Sequence, residues 1–336
     1  MLGISVCIPT YNQGAYLERS IRSAFNQTVK PLEIIVCDDC STDDTKVLLE
    51  KLAIEIPSLK VFTQPVNVGI SKNVDACLKM ASGEFILRLD SDDLVYPDYL
   101  QKVSTLLKRF PDAGYGHVAI QEIDEHDQET NLRNLFRTTT YQDPEEALKA
   151  AVKGYRVAAN IVMFRRSALE KVGFISSEIN FAEDWRLSID LAAAGFGNVY
   201  LNEVLAAYRV WADSGNVRQH RKLAEIKGIN SVFTEALAPA YQNKGWNTQE
   251  LETQKSQFAA VQADCLGWEN YKPSEKEEIV AALLALSTSG KVKTMIWIYR
   301  NGFGSVVSIF STLKHSLKSL IKKLILSVKP KHQTAV

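Results

Sequence analysis

Residues 84–93, Glu84-Phe85-Ile86-Leu87-Arg88-Leu89-Asp90-Ser91-Asp92-Asp93, run from a short, mostly apolar stretch directly into three carboxylates. The first six residues read as a buried strand, and Tyr96-Pro97-Asp98 then opens a helix, so the acids crowd a strand end. The same design occurs upstream, where the apolar run Leu32 to Val36 leads into Cys37-Asp38-Asp39-Cys40-Ser41-Thr42-Asp43-Asp44-Thr45. Residues 4 to 9 and 32 to 37 are short, β-branched and apolar with little polar alternation, the signature of strands buried on both faces of a parallel sheet. Between them Tyr16, Leu17, Ile21, Ala24 and Phe25 recur at helical spacing, which completes a βαβ unit. A second helix is expected from Thr42 to Leu52 with Val47, Leu48 and Leu52 on one side, then a strand at Val61-Phe62 and a helix from Asn73 to Met80. Strands alternating with helices predict an α/β fold with a mostly parallel central sheet flanked by helices. Ligands of open α/β sheets bind at the carboxyl ends of the strands, where both acidic clusters fall.

Carboxylates at i and i+2 on a strand end converge once the chain turns, and hard oxygen ligands of this kind suit Mg²⁺ or Mn²⁺ better than zinc. A metal held by few protein oxygens keeps positions open for substrate phosphates. The expectation is a metal-dependent enzyme acting on a nucleotide diphosphate; the plainer alternative is an Asp-rich turn in which one acid caps the next helix.

Seven motifs, in order, resemble the family 2 inverting glycosyltransferases of GT-A fold. They are Ile4-Ser5-Val6-Cys7-Ile8-Pro9-Thr10-Tyr11-Asn12, the Asp38-Asp39 segment, Asn67-Val68-Gly69-Ile70-Ser71-Lys72-Asn73, and Leu89-Asp90-Ser91-Asp92-Asp93. Phe164-Arg165-Arg166-Ser167 with Val172-Gly173-Phe174, Glu183-Asp184-Trp185, and Tyr208-Arg209-Val210-Trp211 complete the set. The resemblance implies that Pro9, Thr10 and Tyr11 line a base pocket and that Asp39 accepts a hydrogen bond from base or ribose. It also implies that Asn67, Gly69, Lys72, Asp90, Ser91 and Asp92 contact the nucleotide sugar, and that Asp92 and Asp93 hold Mn²⁺ or Mg²⁺. Asp184 becomes the general base that deprotonates the acceptor, Glu183 and Trp185 contact the acceptor, and His220 is a possible contact to the diphosphate. Cys40 stands where the family commonly has glycine, and Lys72 where arginine is common. The Gln-x-x-Arg-Trp signature of processive synthases is absent after Trp185, which favours addition of a single sugar.

The chain has 39 basic and 39 acidic residues, but the neutrality hides an asymmetry. Residues 291–336 carry nine Lys or Arg and no acid, which leaves 30 basic against 39 acidic residues in the rest. In that tail Val306, Ile309, Phe310, Leu313, Leu317, Leu320, Ile321 and Leu324 recur at spacings of three and four, and Lys314, Lys318, Lys322 and Lys323 fall largely between them. This reads as a basic amphipathic helix suited to an anionic membrane surface, or alternatively to docking on the acidic remainder.

The expected organisation is a catalytic domain over 1–218, with a nucleotide-sugar half at 1–115 and an acceptor half at 116–218, then a helical extension over 219–290 and the tail over 291–336. Five scattered cysteines, the lack of a signal-peptide pattern and the lack of an 18-residue apolar run point to a cytoplasmic protein, peripheral on the inner face of the cell membrane. The partners expected are a nucleotide diphosphate sugar, a glycan or lipid-linked acceptor of surface polysaccharide synthesis and the membrane surface, with no nucleic acid. Two other readings are a sugar-phosphate nucleotidyltransferase, which would want a Gly-rich loop after the first strand where Pro9-Thr10-Tyr11-Asn12 stands, and a non-catalytic scaffold on a transferase domain.

Overall fold

The computed structural model describes residues 3–135, 137–154, 160–175, 181–211 and 219–305. They fall into two compact units divided between Gln254 and Lys255. The first is built on a ten-stranded sheet with strands β1 (Ile4–Thr10), β2 (Glu33–Asp38), β3 (Leu59–Thr63), β4 (Phe85–Leu89), β5 (Leu94–Val95), β6 (Ala113–Ile123), β7 (Glu129–Arg133), β8 (Tyr141–Gln142), β9 (Ile161–Arg165) and β10 (Gly197–Arg209). The order β3-β2-β1-β4-β9-β6-β10-β5 has β7 beside β6 and β8 beside β10. Strands β1 to β4 are mutually parallel, β9 runs against both β4 and β6, and β6 and β10 are parallel. Six strands therefore end at one edge of the sheet, and their termini can share one cleft.

Why the strands form is visible in their burial. Every residue of β1, β2 and β4 is buried, so each is covered by helices on both faces. Helix α1 (Gly14–Phe25) places Leu17, Ile21 and Ala24 in the core, as their spacing requires. Helix α2 (Thr45–Glu55) starts three residues later than expected and turns a different face inward: Leu49 and Leu52 are buried while Val47 is 68% exposed. The reason lies in the loop before it, where Asp43 accepts hydrogen bonds from the backbone N–H groups of Gly14 and Thr45, and Asn12 accepts one from Thr42 N–H at 2.8 Å. These bonds hold Thr42 to Asp44 out of the helix. Helix α3 (Ile70–Met80) includes the expected Asn73 to Met80 and begins about one turn earlier, at Ile70, just after Gly69, whose φ of +86° suits glycine. Helices α4 (Tyr99–Arg109), α5 (Pro144–Ala151), α6 (Arg166–Val172) and α7 (Glu183–Ala193) complete the flanks.

Residues 219–254 group with the first unit, and Phe233, on the turn of π-helix Val232–Leu237, packs edge-on against Trp185 of α7 at 5.6 Å. In the second unit, helix Pro273–Leu286 starts where Lys272-Pro273-Ser274-Glu275 predicts, and Glu275 accepts from the Lys272 N–H at 2.8 Å. The following helix, Gly290–Arg300, buries Ile296 but leaves Trp297 59% exposed, stacked on Phe303 at 5.5 Å. Among the described residues no helix is long and apolar enough to cross a membrane. The expected amphipathic pattern from Val306 to Leu324 lies outside the described residues.

Candidate active site

A cleft of about 980 Å³ opens at the carboxyl edge of the sheet. The ends of β1 and β2 and the turn after β4 supply Pro9, Thr10, Tyr11, Asp39, Asp90, Ser91 and Asp92; the loop before α3 adds Asn67 and Gly69. Nine of the expected site residues thus share one cavity. Three ties fix its walls. The hydroxyl of Ser41 donates to Asp38 and accepts from the Asn12 N–H, which locks β1 to β2. The Asp39 carboxylate accepts from the backbone N–H groups of Val68 at 2.8 Å and Gly69 at 2.9 Å, so it shapes the 67–69 loop as well as facing the cleft. Finally, Ser20 of α1 directs its hydroxyl to the carbonyl oxygens of Ser91 and Asp93, at 2.9 and 2.7 Å, pinning the acidic turn.

The three acids of that turn diverge. Asp92 lines the cleft, and one of its oxygens accepts from the Trp211 indole N–H at 2.8 Å. Burial, then the neighbouring Asp90 charge, raises its acid above the ordinary range. Asp90 also lines the cleft and pairs with the Arg88 guanidinium at 3.1 Å. Asp93 does not reach the cleft: it is fully buried, one oxygen accepts from the Arg209 N–H at 2.8 Å, and the other has no partner among the described residues. Asp92 and Asp93, expected together at one ion, are thus separated: of the three acids it is Asp90 and Asp92 that line the cleft, while Asp93 is enclosed by the protein.

Asp184 opens α7, and no side chain caps that helix. Its carboxylate is instead bound to Arg88, the same guanidinium that holds Asp90. Burial pushes the Asp184 acid up to about 7 against the pull of Arg88, with Glu183 and Asp90 adding to the rise. Arg88 itself is buried; that burial alone would lower its basicity, but Asp184, Asp90 and Glu183 hold it up. It was not expected from the sequence, although one charged residue inside the strand Phe85-Ile86-Leu87-Arg88-Leu89 is the signal that marks it. Arg209 plays the matching part on the other side: its guanidinium is buried, donates to the Asp92 carbonyl at 3.0 Å, and lies over the Tyr16 ring at 4.6 Å. Tyr16 in turn meets Trp211 edge-on at 4.9 Å, so two aromatic rings brace the Asp92 side.

The remaining expected residues stand apart. Trp185 is buried under α5 and Phe233, with its indole N–H donated to Ala151 O at 2.8 Å, so it presents no surface to an acceptor. Lys72 is exposed on α3 and does not line the cleft, nor does His220, which is exposed beside the lining residue Arg221. Glu183 is half-buried next to Asp184. Among the described residues no three His, Cys, Asp or Glu side chains gather as a ready metal cage.

Comparison with known proteins fits this geometry. The family description "Glycosyl transferase family 2" matches residues 5–173. The chain is 31% identical over 210 residues to the GalNAc(5)-diNAcBac-PP-undecaprenol beta-1,3-glucosyltransferase of Campylobacter jejuni, covering 62% of this chain and 65% of that protein. The chain spans from 11% to 65% of the length of the first curated relatives it matches. TarS of S. aureus, solved with UDP-GlcNAc, superposes with a TM-score of 0.57 at 19% identity, over 89% of this chain and 92% of that one. The mannosyltransferase PcManGT of Pyrobaculum calidifontis, solved with GDP-Man and Mn²⁺, gives 0.54 at 17% identity, over 90% and 86%. The fold is thus the GT-A arrangement of glycosyltransferases.

Proposed function

The chain belongs to glycosyl transferase family 2, and from that membership we propose that it moves one sugar from a nucleotide diphosphate sugar to a hydroxyl of a glycan or lipid-linked acceptor, with inversion at the anomeric carbon. Membership in the family also sets aside the nucleotidyltransferase alternative. The single observation that carries the reading is the shared guanidinium: Arg88 joins Asp90, which lines the cleft, to Asp184, the candidate base. A donor site and a proton acceptor are thereby held in one rigid charge network.

In this reading Pro9, Thr10 and Tyr11 wall the nucleoside pocket, and Asp39 has lone pairs left to accept from a base N–H or ribose hydroxyl. Asp92 would hold a divalent cation, with Asp90 beside it. The fit rests on excess negative charge there and on a donor set of one or two carboxylates, which suits Mg²⁺ or Mn²⁺ completed by phosphate oxygens. Such an ion supplies Lewis-acid neutralisation of the leaving diphosphate. Asp184 takes the acceptor hydroxyl proton as that oxygen bonds to the anomeric carbon and the bond from carbon to phosphate oxygen breaks. Its raised acid is tuned for this role, because a base with an ordinary carboxylate pKa would be a weak proton acceptor at neutral pH. Glu183 stands next to it on the acceptor side.

The acceptor is proposed to lie at the cytoplasmic face of a membrane. Support comes from the uncompensated charge of residues 291–336, from the exposed Trp297 and Phe303, and from the lipid-linked substrate named for the Campylobacter relative.

A thermal-shift screen of UDP- and GDP-sugars with and without Mn²⁺ tests the donor half of this reading. One donor is expected to raise the Tm only with the metal present, and Asp92→Asn is expected to lose that rise. No shift with any donor would count against a transferase role and favour the scaffold.

A further inference from the structure

The hairpin of β6 and β7 lies outside every motif at the strand ends, yet one of its side chains reaches back toward the cleft. Its turn is closed by backbone bonds from Asp124 N–H to Gln128 O at 3.0 Å and from Asp127 N–H to Asp124 O at 3.2 Å. The Asp124 carboxylate adds to the closure by accepting from the His126 and Gln128 N–H groups, each at 2.8 Å. Asp127 is thereby held at φ +64°, in the left-handed region. Its carboxylate lies between two arginines: one oxygen accepts from Arg209 at 2.5 Å, and the other is bound to Arg19 of α1.

Arg209 carries this contact to the cleft. Its side chain is wholly enclosed, with Nε–H donated to the Asp92 carbonyl at 3.0 Å, a second donor on the Asp124 carbonyl and a third on Asp127. Asp127 is the one carboxylate within ion-pairing distance of that guanidinium among the described residues, although Asp92, Asp93 and Asp124 also lie in its field. Of these, Asp93 accepts from the Arg209 main-chain N–H, and Asp92 faces the cleft. A buried cation that loses its partner acts on the next carboxylates around it. With Asp127 in place the guanidinium is neutralised on the hairpin side, and the Asp92 carboxylate is left to Trp211 and the cleft. Without Asp127 the same positive charge stands uncompensated beside Asp92, where it opposes the entry of a second cation.

On the reading of Asp92 as the carboxylate that holds the cation, we propose that Asp127 is a positioning residue for the donor site: by neutralising Arg209 it keeps the negative charge of Asp92 available to a divalent ion and the nucleotide diphosphate bound with it. Asparagine enters the left-handed region as aspartate does, so Asp127→Asn removes the charge and keeps the turn.

Isothermal titration of the full chain with UDP, and in parallel with GDP, in Mn²⁺ and again in EDTA tests this. Mn²⁺ is expected to tighten binding of one nucleotide to the native chain, and Asp127→Asn to weaken that metal-supported binding about tenfold. In EDTA the same variant should bind no more weakly than the native chain, since loss of a negative charge does not disfavour an anion. A merely structural role would weaken both. Glu125→Gln removes a charge from the same turn at a residue with no ion pair among the described residues, and should leave both affinities unchanged. Asp92→Asn should erase the effect of Mn²⁺. Native affinity of Asp127→Asn in Mn²⁺, an equal loss in EDTA, or an equal loss in Glu125→Gln overturns the role of Asp127 while the response of Asp92→Asn still reports on the cation site. A native chain whose affinity for either nucleotide is untouched by Mn²⁺ overturns the assignment of Asp92, and that of Asp127 with it.

Discussion

Buried acids sit at both edges of the parallel strands, and the two edges treat them in opposite ways. At the amino edge, Glu33 accepts from Ser5 Oγ at 2.6 Å, from the Ser82 hydroxyl and N–H at 2.7 and 2.8 Å, and from Lys60 Nζ at 2.6 Å. Burial works to raise its acid, but these donors outweigh burial and hold it at about 2. At the carboxyl edge, Asp93 keeps an unpartnered oxygen, Asp92 has one indole donor, and Asp184 shares a single guanidinium with Asp90. There burial wins, and all three acids are raised. The same functional group is thus held ionised where its lone pairs are filled and has its acid raised where they are not, the state that the proposed binding and proton-transfer roles require.

The largest expected effect comes from removing the proposed base. Asp184→Asn should lower kcat about 10³-fold while the donor-induced thermal shift persists. Normal turnover in that variant would break the contrast between the edges.

Glu33→Gln is the mirror experiment, expected to lose about 3 kcal/mol in urea denaturation at pH 7 and to leave kcat unchanged. The sign follows from its depressed acid: the stabilisation is fully present above the unfolded carboxyl value and is lost as pH falls toward 2. A variant as stable as the parent would show that the hydrogen bonds at the amino edge contribute nothing net.

The pH profile of kcat/KM sharpens the comparison further. In the proposed mechanism Asp184 acts unprotonated, so the rate should climb about tenfold per unit below its pKa and level off above about 7. A profile flat from pH 5 to 8 would separate the raised acid from the chemistry.

The smallest effect concerns Cys40, which holds φ of +62° just beyond β2. Cys40→Gly should stabilise by about 1 kcal/mol in the same denaturation assay, by relieving left-handed strain at the functional edge. A destabilised variant would mean that the thiol contact with Pro65 O outweighs that strain.

Much of this was legible in the chain. The apolar runs at 4–9, 32–37 and 84–89 marked parallel strands because strands covered on both faces tolerate little polarity, and the acids after them marked the functional edge. Leu17, Ile21 and Ala24 marked α1 by period alone. The α2 face was misjudged because Asp43 and Asn12 hold the helix start away from Thr42, a constraint made by residues distant in sequence. Trp185 read as an acceptor contact, since nothing local shows that Phe233 and Ala151 enclose it. Nor does local sequence pair Arg88 with Asp184, 96 positions apart.

The sequence by itself determined the α/β alternation, the family, and which short stretches carry chemistry, since these depend on periodicity and on residue types close together in the chain. Only the tertiary structure decided which carboxylates face the cleft, which are enclosed, and which arginine balances them. Direction and burial are set by what packs against a side chain. In this fold those neighbours arrive from helices and strands tens of residues away, so the ionisation of each acid is a property of the assembled sheet edge.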